Sequence, residues 1–313
     1  MQKPTFDPGL TQQYTGPLRR IINDDGTFNV LRHGGSWRNS NLYLYFLGVS
    51  WPVFFFLVLA AFFTVNLFFA CLYWVWADGQ LLGNTATTAW GRFLNDFFFS
   101  AHTLTTVGYG NIAPNGLAAN IISSIEAMTG LLGFALATGL LFGRFSRPSA
   151  RIGFSRNLLV APYSDGLSLQ FRIVNLRPNA LIDLEARVLL MTVEHSGNDG
   201  MKRVFKPLAL ERPEILFLPL SWTVVHPLDQ DSPLAGLTQD VCGASEAELL
   251  ILIKAWDDTF SQTVHARYSY RCDEFLWNHR FAPTFHVTDD GTLVLDVDKV
   301  SEVTPIAASI PHS

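Results

Sequence analysis

Apolar positions along this chain fall into two unbroken blocks followed by a long stretch that alternates. From Asn39 to Ala77 no Asp, Glu, Lys or Arg occurs, and from Leu117 to Gly143 the sole charged residue is Glu126. About 20 apolar residues carry a helix across the hydrocarbon layer, so each block predicts one spanning helix, over 51–76 and 117–143. Neither is a signal peptide, because each is too long and starts too far from Met1. Between them, "RFLNDFFFSAHTLTTVGYGN" (92–111) is too short and broken to cross again. It predicts a short helix over 92–104 and then an irregular strand, and such backbone is tolerated at membrane depth only inside protein or along a water-filled path. Ahead of the first block, "NLYLYFLGVS" (41–50) predicts an interfacial helix; the same residues would equally extend the first span.

Beyond "RFSRPSARIGFSR" (144–156) the pattern changes to period two. Strands are expected over 167–176, 186–195, 214–226, 248–256 and 263–270. Short strands divided by turn-rich segments predict an all-β sandwich of Ig-like type over 157–290. In the polar segment 1–40, Asp25-Gly26 suggests a hairpin within 22–30. In the tail, 291–313, the run 292–300 suggests one further strand at a subunit contact.

Charge sets the orientation. Arg19, Arg20, Arg32 and Arg38 precede the first span, Arg144, Arg147, Arg151 and Arg156 follow the second, and the segment from Asp78 to Gly116 holds Arg92 alone. Positive residues stay on the cytoplasmic side, so both termini are expected inside and the connection between the spans outside. Charged residues make up only 16% of the 313, and a net charge of −5 gives no sign of nucleic-acid binding. Cys71, Cys242 and Cys272 match no disulfide framework, so free thiols are expected.

The candidate chemistry lies in "TVGYG" (106–110). A potassium ion in water is wrapped by oxygens, and a protein that passes it must offer equivalent oxygens in a row. Backbone carbonyls of Thr106, Val107, Gly108 and Tyr109 can do so if consecutive residues alternate through positive φ, which glycine adopts readily. The Thr106 hydroxyl adds a ligand at the inner end, while Tyr109 points outward and braces the strand. One such loop cannot surround an ion, so four chains are expected about an axis.

With its short helix and flanking spans, this run closely resembles the potassium-channel selectivity filter. In the second half, "LSWTVVHPLDQDSPLAG" (220–236) and "ARYSYRCDEFLWNHRFAP" (266–283) resemble hallmark segments of the inward-rectifier potassium channels. "RFSRPSAR" (144–151) is similar to their membrane-proximal linker, and "SWPVFF" (50–55) to the entry of their first span. The resemblance points to the bacterial branch, since cysteines flanking the pore loop are missing between 78 and 116. It implies a homotetramer with slide helix, outer helix, pore helix, inner helix and Ig-like cytoplasmic domain, conducting K+ without a cofactor.

The resemblance and the residue types themselves suggest roles for single residues. Phe142 matches the constriction where inner helices cross, and with Phe134 and Thr138 it forms a row four residues apart; a lipid-facing or packing Phe is the alternative. Where strong rectifiers carry an acid that binds polyamines or Mg2+, this chain has Phe134, so block there is expected to be weak. Asp183 and Asp258 match acids of the cytoplasmic pore, or form a solvated surface pair. His102 stands where the family has a filter-supporting Glu; with Thr105 it is expected behind the filter, either as a titrating group or as a neutral structural one. Glu126, too costly to face lipid, is either neutral or bonded behind the pore helix. Gly130 and Gly139 serve as bends or as helix contacts. Arg144, Arg147, Arg151 and Arg156 would attract anionic lipid headgroups, or act only as the inside anchor.

No catalytic constellation is present, so an enzyme is not expected. Two other readings stay open at this level: a poorly selective cation channel, and a two-span receptor that does not conduct.

Overall fold

The computed structural model describes residues 8–10, 13–14, 19–31, 42–146, 151–164, 166–195, 201–239, 242 and 246–306. They divide into two compact units, 33–147 and a second one combining 1–32 with 148–313. The first described strand, β1 (Gln13–Tyr14), belongs to the second unit.

The helical unit begins with α1 (Leu42–Gly48) and α2 (Trp51–Trp76). Pro52 occupies the first turn of α2, where its missing N–H has no helical partner to lose. At 1.5 Å per residue its 26 residues reach about 39 Å, enough to cross a membrane. After a short strand, β2 (Leu81–Leu82), α3 (Ala89–Leu104) starts at Thr88, whose hydroxyl accepts the Gly91 N–H at 3.1 Å. The cap begins this helix three residues before the expected Arg92. A second short strand, β3 (Ala113–Pro114), pairs with β2, and α4 (Leu117–Phe145) closes the unit. Phe69, Tyr73, Ala77, Leu81, Phe99 and Ala119 form the core where the three longer helices meet.

The second unit is a β-sandwich. Its strands are β4 (Ile152–Phe154), β5 (Leu158–Tyr163), β6 (Gly166–Asn175), β7 (Leu181–His195), β8 (Met201–Pro207), β9 (Glu214–Phe217), β10 (Ser221–Pro227), β11 (Glu248–Asp257), β12 (Gln262–Arg271) and β13 (Phe275–Trp277). One sheet runs β1-β8-β7-β11-β12 with β9 also on β7; the other runs β10-β6-β5-β13 with β4 also on β6. The expected single strand 214–226 is two, β9 and β10 in different sheets, with Pro219 in the crossing between them. On β11, Leu249, Ile251, Ile253 and Ala255 enter the sandwich core, while Leu250 on the opposite face meets Ile21, Ile22, Met191 and Phe205. β14 (His279–Phe281), β15 (Phe285–Val287), β16 (Leu293–Leu295) and β17 (Val303–Pro305) pair as β14-β17 and β15-β16, so the run 292–300 contributes β16 to a small hairpin of its own chain.

The N-terminal segment is fastened to this unit by charge. Both carboxylate oxygens of buried Glu248 accept the Ile21 N–H, at 3.0 and 3.1 Å, and burial pushes the Glu248 carboxyl above its ordinary value. Arg20 donates to Ser269 Oγ at 2.9 Å and to Glu274 Oε1 at 3.1 Å. The Asp25-Gly26 turn is present, with Ile22 bridged to Phe28 and Gly26 at φ +77°.

The cysteines depart from expectation. Cys242 and Cys272 are joined as a disulfide, with Cα atoms 5.7 Å apart across 30 residues of sequence. The connection between β10 and β11 folds over the sandwich core and brings buried Cys242 to the end of β12, a proximity that linear spacing does not carry. Cys71 is free and exposed on α2.

Candidate pore and filter site

The site is built from the C-terminal end of α3. Thr105 caps that helix: its N–H and its hydroxyl both reach the Ala101 carbonyl, the hydroxyl at 2.7 Å. The Thr105 side chain therefore serves the helix end. Beyond it the backbone alternates. Thr106, Gly108 and Gly110 have φ of +59°, +55° and +82°. Among the described residues of the chain a β-carbon added at either glycine would meet nothing within 4 Å, so it is the positive φ that calls for glycine. Thr106 takes the same left-handed conformation with a β-branched side chain, which sequence patterns give no means of anticipating.

One carbonyl fixes the direction of the strand. His102 O accepts the N–H of Val107 at 2.9 Å and of Gly108 at 3.2 Å. Both amides are thus turned toward the pore helix, and a peptide whose N–H points one way presents its C=O the other way. The His102 ring meets the Tyr109 ring edge to face at 4.8 Å. His102 and Tyr109 are therefore together behind the strand.

Glu126 on α4 is fully buried where three helices converge. The Tyr73 hydroxyl donates to its Oε2 at 2.6 Å, and Ser100 of α3 bonds its Oε1. The bonding behind the pore helix that the sequence left open is present in the structure. Ser100, Tyr73 and Asn66 were not singled out from the sequence, although polar residues inside apolar segments were signal enough. One turn further along α4, a β-carbon on Gly130 would lie 2.0 Å from Leu104 O, so Gly130 is a contact position; around Gly139 no described residue lies within 4 Å.

Phe134, Thr138 and Phe142 are all exposed on α4. At about 100° per residue, the sixteen steps from Glu126 to Phe142 turn the side chain by about 160°. The upper part of α4 faces the pore helix, and Phe142 points nearly opposite. Arg144 donates to the Val49 carbonyl at 2.7 Å and to that of Phe46, with its guanidinium 4.6 Å from the Trp51 ring centre and 4.8 Å from that of Phe54. It fastens the end of α1 to the end of α4. Arg147 lies outside the described residues. In the β unit, Arg151 and Arg156 are exposed, the latter with its N–H on Ser301 Oγ at 2.9 Å.

Asp183 and Asp258 lie at one end of the β7–β11 ladder. Asp183 is the extra residue of a bulge between Lys254 and Trp256, at φ +53°, and Asp258 follows Asp257, the partner of Leu181. Both are exposed.

Comparison with known proteins covers both units. The family described as "Inward rectifier potassium channel C-terminal domain" matches residues 152–312, and that described as "Ion channel" matches 45–147. The inward rectifier potassium channel Kirbac3.1 of Paramagnetospirillum magnetotacticum is 36% identical, over 91% of this chain and 95% of its own length. Inward rectifier potassium channel 4 of Mesocricetus auratus is 26% identical over 84% of this chain and 68% of its length. G protein-activated inward rectifier potassium channel 1 of Homo sapiens is 27% identical over 94% of this chain and 63% of its length. With one match spanning nearly the whole of both sequences and a family profile covering half of this one, the chain belongs to the inward rectifier potassium channel family.

Proposed function

We propose that this protein conducts K+ passively across a bacterial cytoplasmic membrane as a homotetramer, with Thr106 to Gly110 as its selectivity filter. The observation that carries the reading is the alternation of positive φ at 106, 108 and 110, with the Val107 and Gly108 amides held on the His102 carbonyl. Four such strands about an axis would line it with carbonyls of Thr106, Val107, Gly108 and Tyr109, which replace the hydration shell of the ion. His102 supports the filter through its carbonyl and through its ring on Tyr109.

Phe142 is the gate in this reading. Four rings at the inner ends of α4 close the path by excluding water, and Phe134 and Thr138 line the pore above them. Phe134 offers no charge to polyamines or Mg2+, so block at that level is weak. Asp183 and Asp258 concentrate cations on the cytoplasmic side. Arg151 and Arg156, with Arg147, are the headgroup-facing cations for anionic lipid, since both terminal nitrogens of Arg144 are engaged on Phe46 and Val49.

The test is cation uptake into liposomes holding the purified protein. Rubidium uptake that barium blocks and sodium does not replace is the expected result. Equal sodium uptake would make the protein a poorly selective cation channel. Uptake of neither ion, in the native protein and in Phe142→Ala alike, would leave a non-conducting receptor.

A further inference from the structure

Glu126 is the buried acid that conduction leaves unused. Four side chains from three helices meet there, Asn66 and Tyr73 from α2, Ser100 from α3 and Glu126 from α4, and each has no exposed surface. Tyr73 donates to Glu126 Oε2, and Ser100 Oγ bonds Glu126 Oε1. Ser100 Oγ also lies 3.1 Å from Asn66 Oδ1. The orientation of the Asn66 amide is fixed, because its Nδ2 donates to the Phe62 carbonyl at 2.8 Å and the opposite orientation would set two oxygens at that distance.

The hydrogens can then be counted. Three side-chain oxygens need a donor: Oε1 and Oε2 of Glu126 and Oδ1 of Asn66. Ser100 and Tyr73 hold one hydroxyl hydrogen each. An ionised carboxylate would leave one enclosed oxygen without a hydrogen, which is costly at a buried site. Among the described residues it would also be an ion without a counter-ion. Apart from Glu126, α2 and α4 carry no charge until Arg144, which is engaged on α1. On α3 the ionisable side chains are Arg92, whose partner is Asp78, Asp96, which accepts from Asn84 at 2.8 Å, and His102, whose ring rests on Tyr109.

We propose that Glu126 retains its proton and donates it to Ser100 Oγ, while the Ser100 hydroxyl donates to Asn66 Oδ1. The three oxygens are then all paired, and the cluster is a neutral clamp among the outer, pore and inner helices. Ser100 stands two residues before His102, whose carbonyl holds the filter amides. Glu126 is in this sense a positioning residue for the filter, an extension that rests on the conduction reading above.

Infrared difference spectra of the full-length native protein minus Glu126→Gln, both in liposomes at neutral pH, test the proton directly. The expected difference is loss of the carbonyl stretch of a protonated carboxylic acid. Loss of the bands of an ionised carboxylate instead would overturn the assignment. Rubidium and sodium uptake test the positioning. Gln presents a donor to Ser100 and an acceptor to Tyr73, so Glu126→Gln is expected to keep the native preference for rubidium. Ser100→Ala removes the middle of the relay, leaving Asn66 Oδ1 without a donor and the Glu126 hydroxyl without an acceptor, and is expected to lower that preference about tenfold. Full preference in Ser100→Ala would overturn the positioning role. If the native protein takes up no ion, the conduction reading fails while the infrared result still decides the proton.

Discussion

Gly130 of the inner helix lies directly against the Leu104 carbonyl of the pore helix, with an added β-carbon falling 2.0 Å from that oxygen. Backbone cannot give way as a flexible side chain does, so Gly130→Ala must push the two helices apart. Overpacking of this kind costs about 1–3 kcal/mol. A lower thermal midpoint of the purified protein and reduced rubidium uptake are expected, whereas Gly139→Ala leaves the midpoint near native.

In the strand 106–110 the glycine requirement is one of handedness. At Gly108, φ of +55° means that L-alanine is strained through its backbone, by about 1–2 kcal/mol per copy. D-Alanine at 108, introduced by semisynthesis, favours the required φ. Uptake is expected to fall with the L-residue and to survive with the D-residue; equal loss with both would mean that space, not conformation, sets the requirement.

His226 makes the β unit sensitive to acid. Its Nδ1–H donates to the Ala209 carbonyl at 2.5 Å, and its Nε2 lies 2.8 Å from the Ser232 hydroxyl, which donates to it. Burial holds the folded-state pKa below the ordinary 6.5. Below about 6.5 the unfolded chain binds the extra proton, so stability falls as the pH drops from there through the folded value. Glu248, with its pKa raised, acts with the opposite sign, its contribution being lost as pH rises through its folded value. Thermal midpoints measured across the mildly acidic range should therefore fall less steeply in His226→Gln than in the native protein.

Reduction of the Cys242–Cys272 bond opens a loop of 30 residues. By the chain-entropy relation, closing such a loop stabilises the fold by about 3–4 kcal/mol. The unfolding transition of the β unit should move to lower temperature when dithiothreitol is added, and Cys71→Ser should leave that shift unchanged. Identical transitions with and without reductant would count against the bond.

What could be read from sequence followed from strong physical demands. A membrane requires length and apolarity, and the limits of α2 at Trp51 and Trp76 are those expected from the charge-free block. The start of α3 was misplaced because Thr88 is one of several threonines in a polar stretch and only its bond to Gly91 marks it as the cap. In the sandwich, period two exposed the long strands, yet β5 and β8 went unassigned and Pro219 went unheeded. The clamp at Glu126 joins residues 26 and 53 positions apart, and no local pattern encodes such pairings. The left-handed Thr106 belongs with these: a β-branched residue is the last that propensity would place there.

The fork of Arg144 on Phe46 and Val49 has a mechanical consequence. It joins a helix of seven residues to the end of one of 29, two positions beyond Phe142. Displacement of the short helix by lateral pressure or a change in bilayer thickness is thereby a torque on the segment that carries the phenyl ring, with a lever arm of half a helical turn.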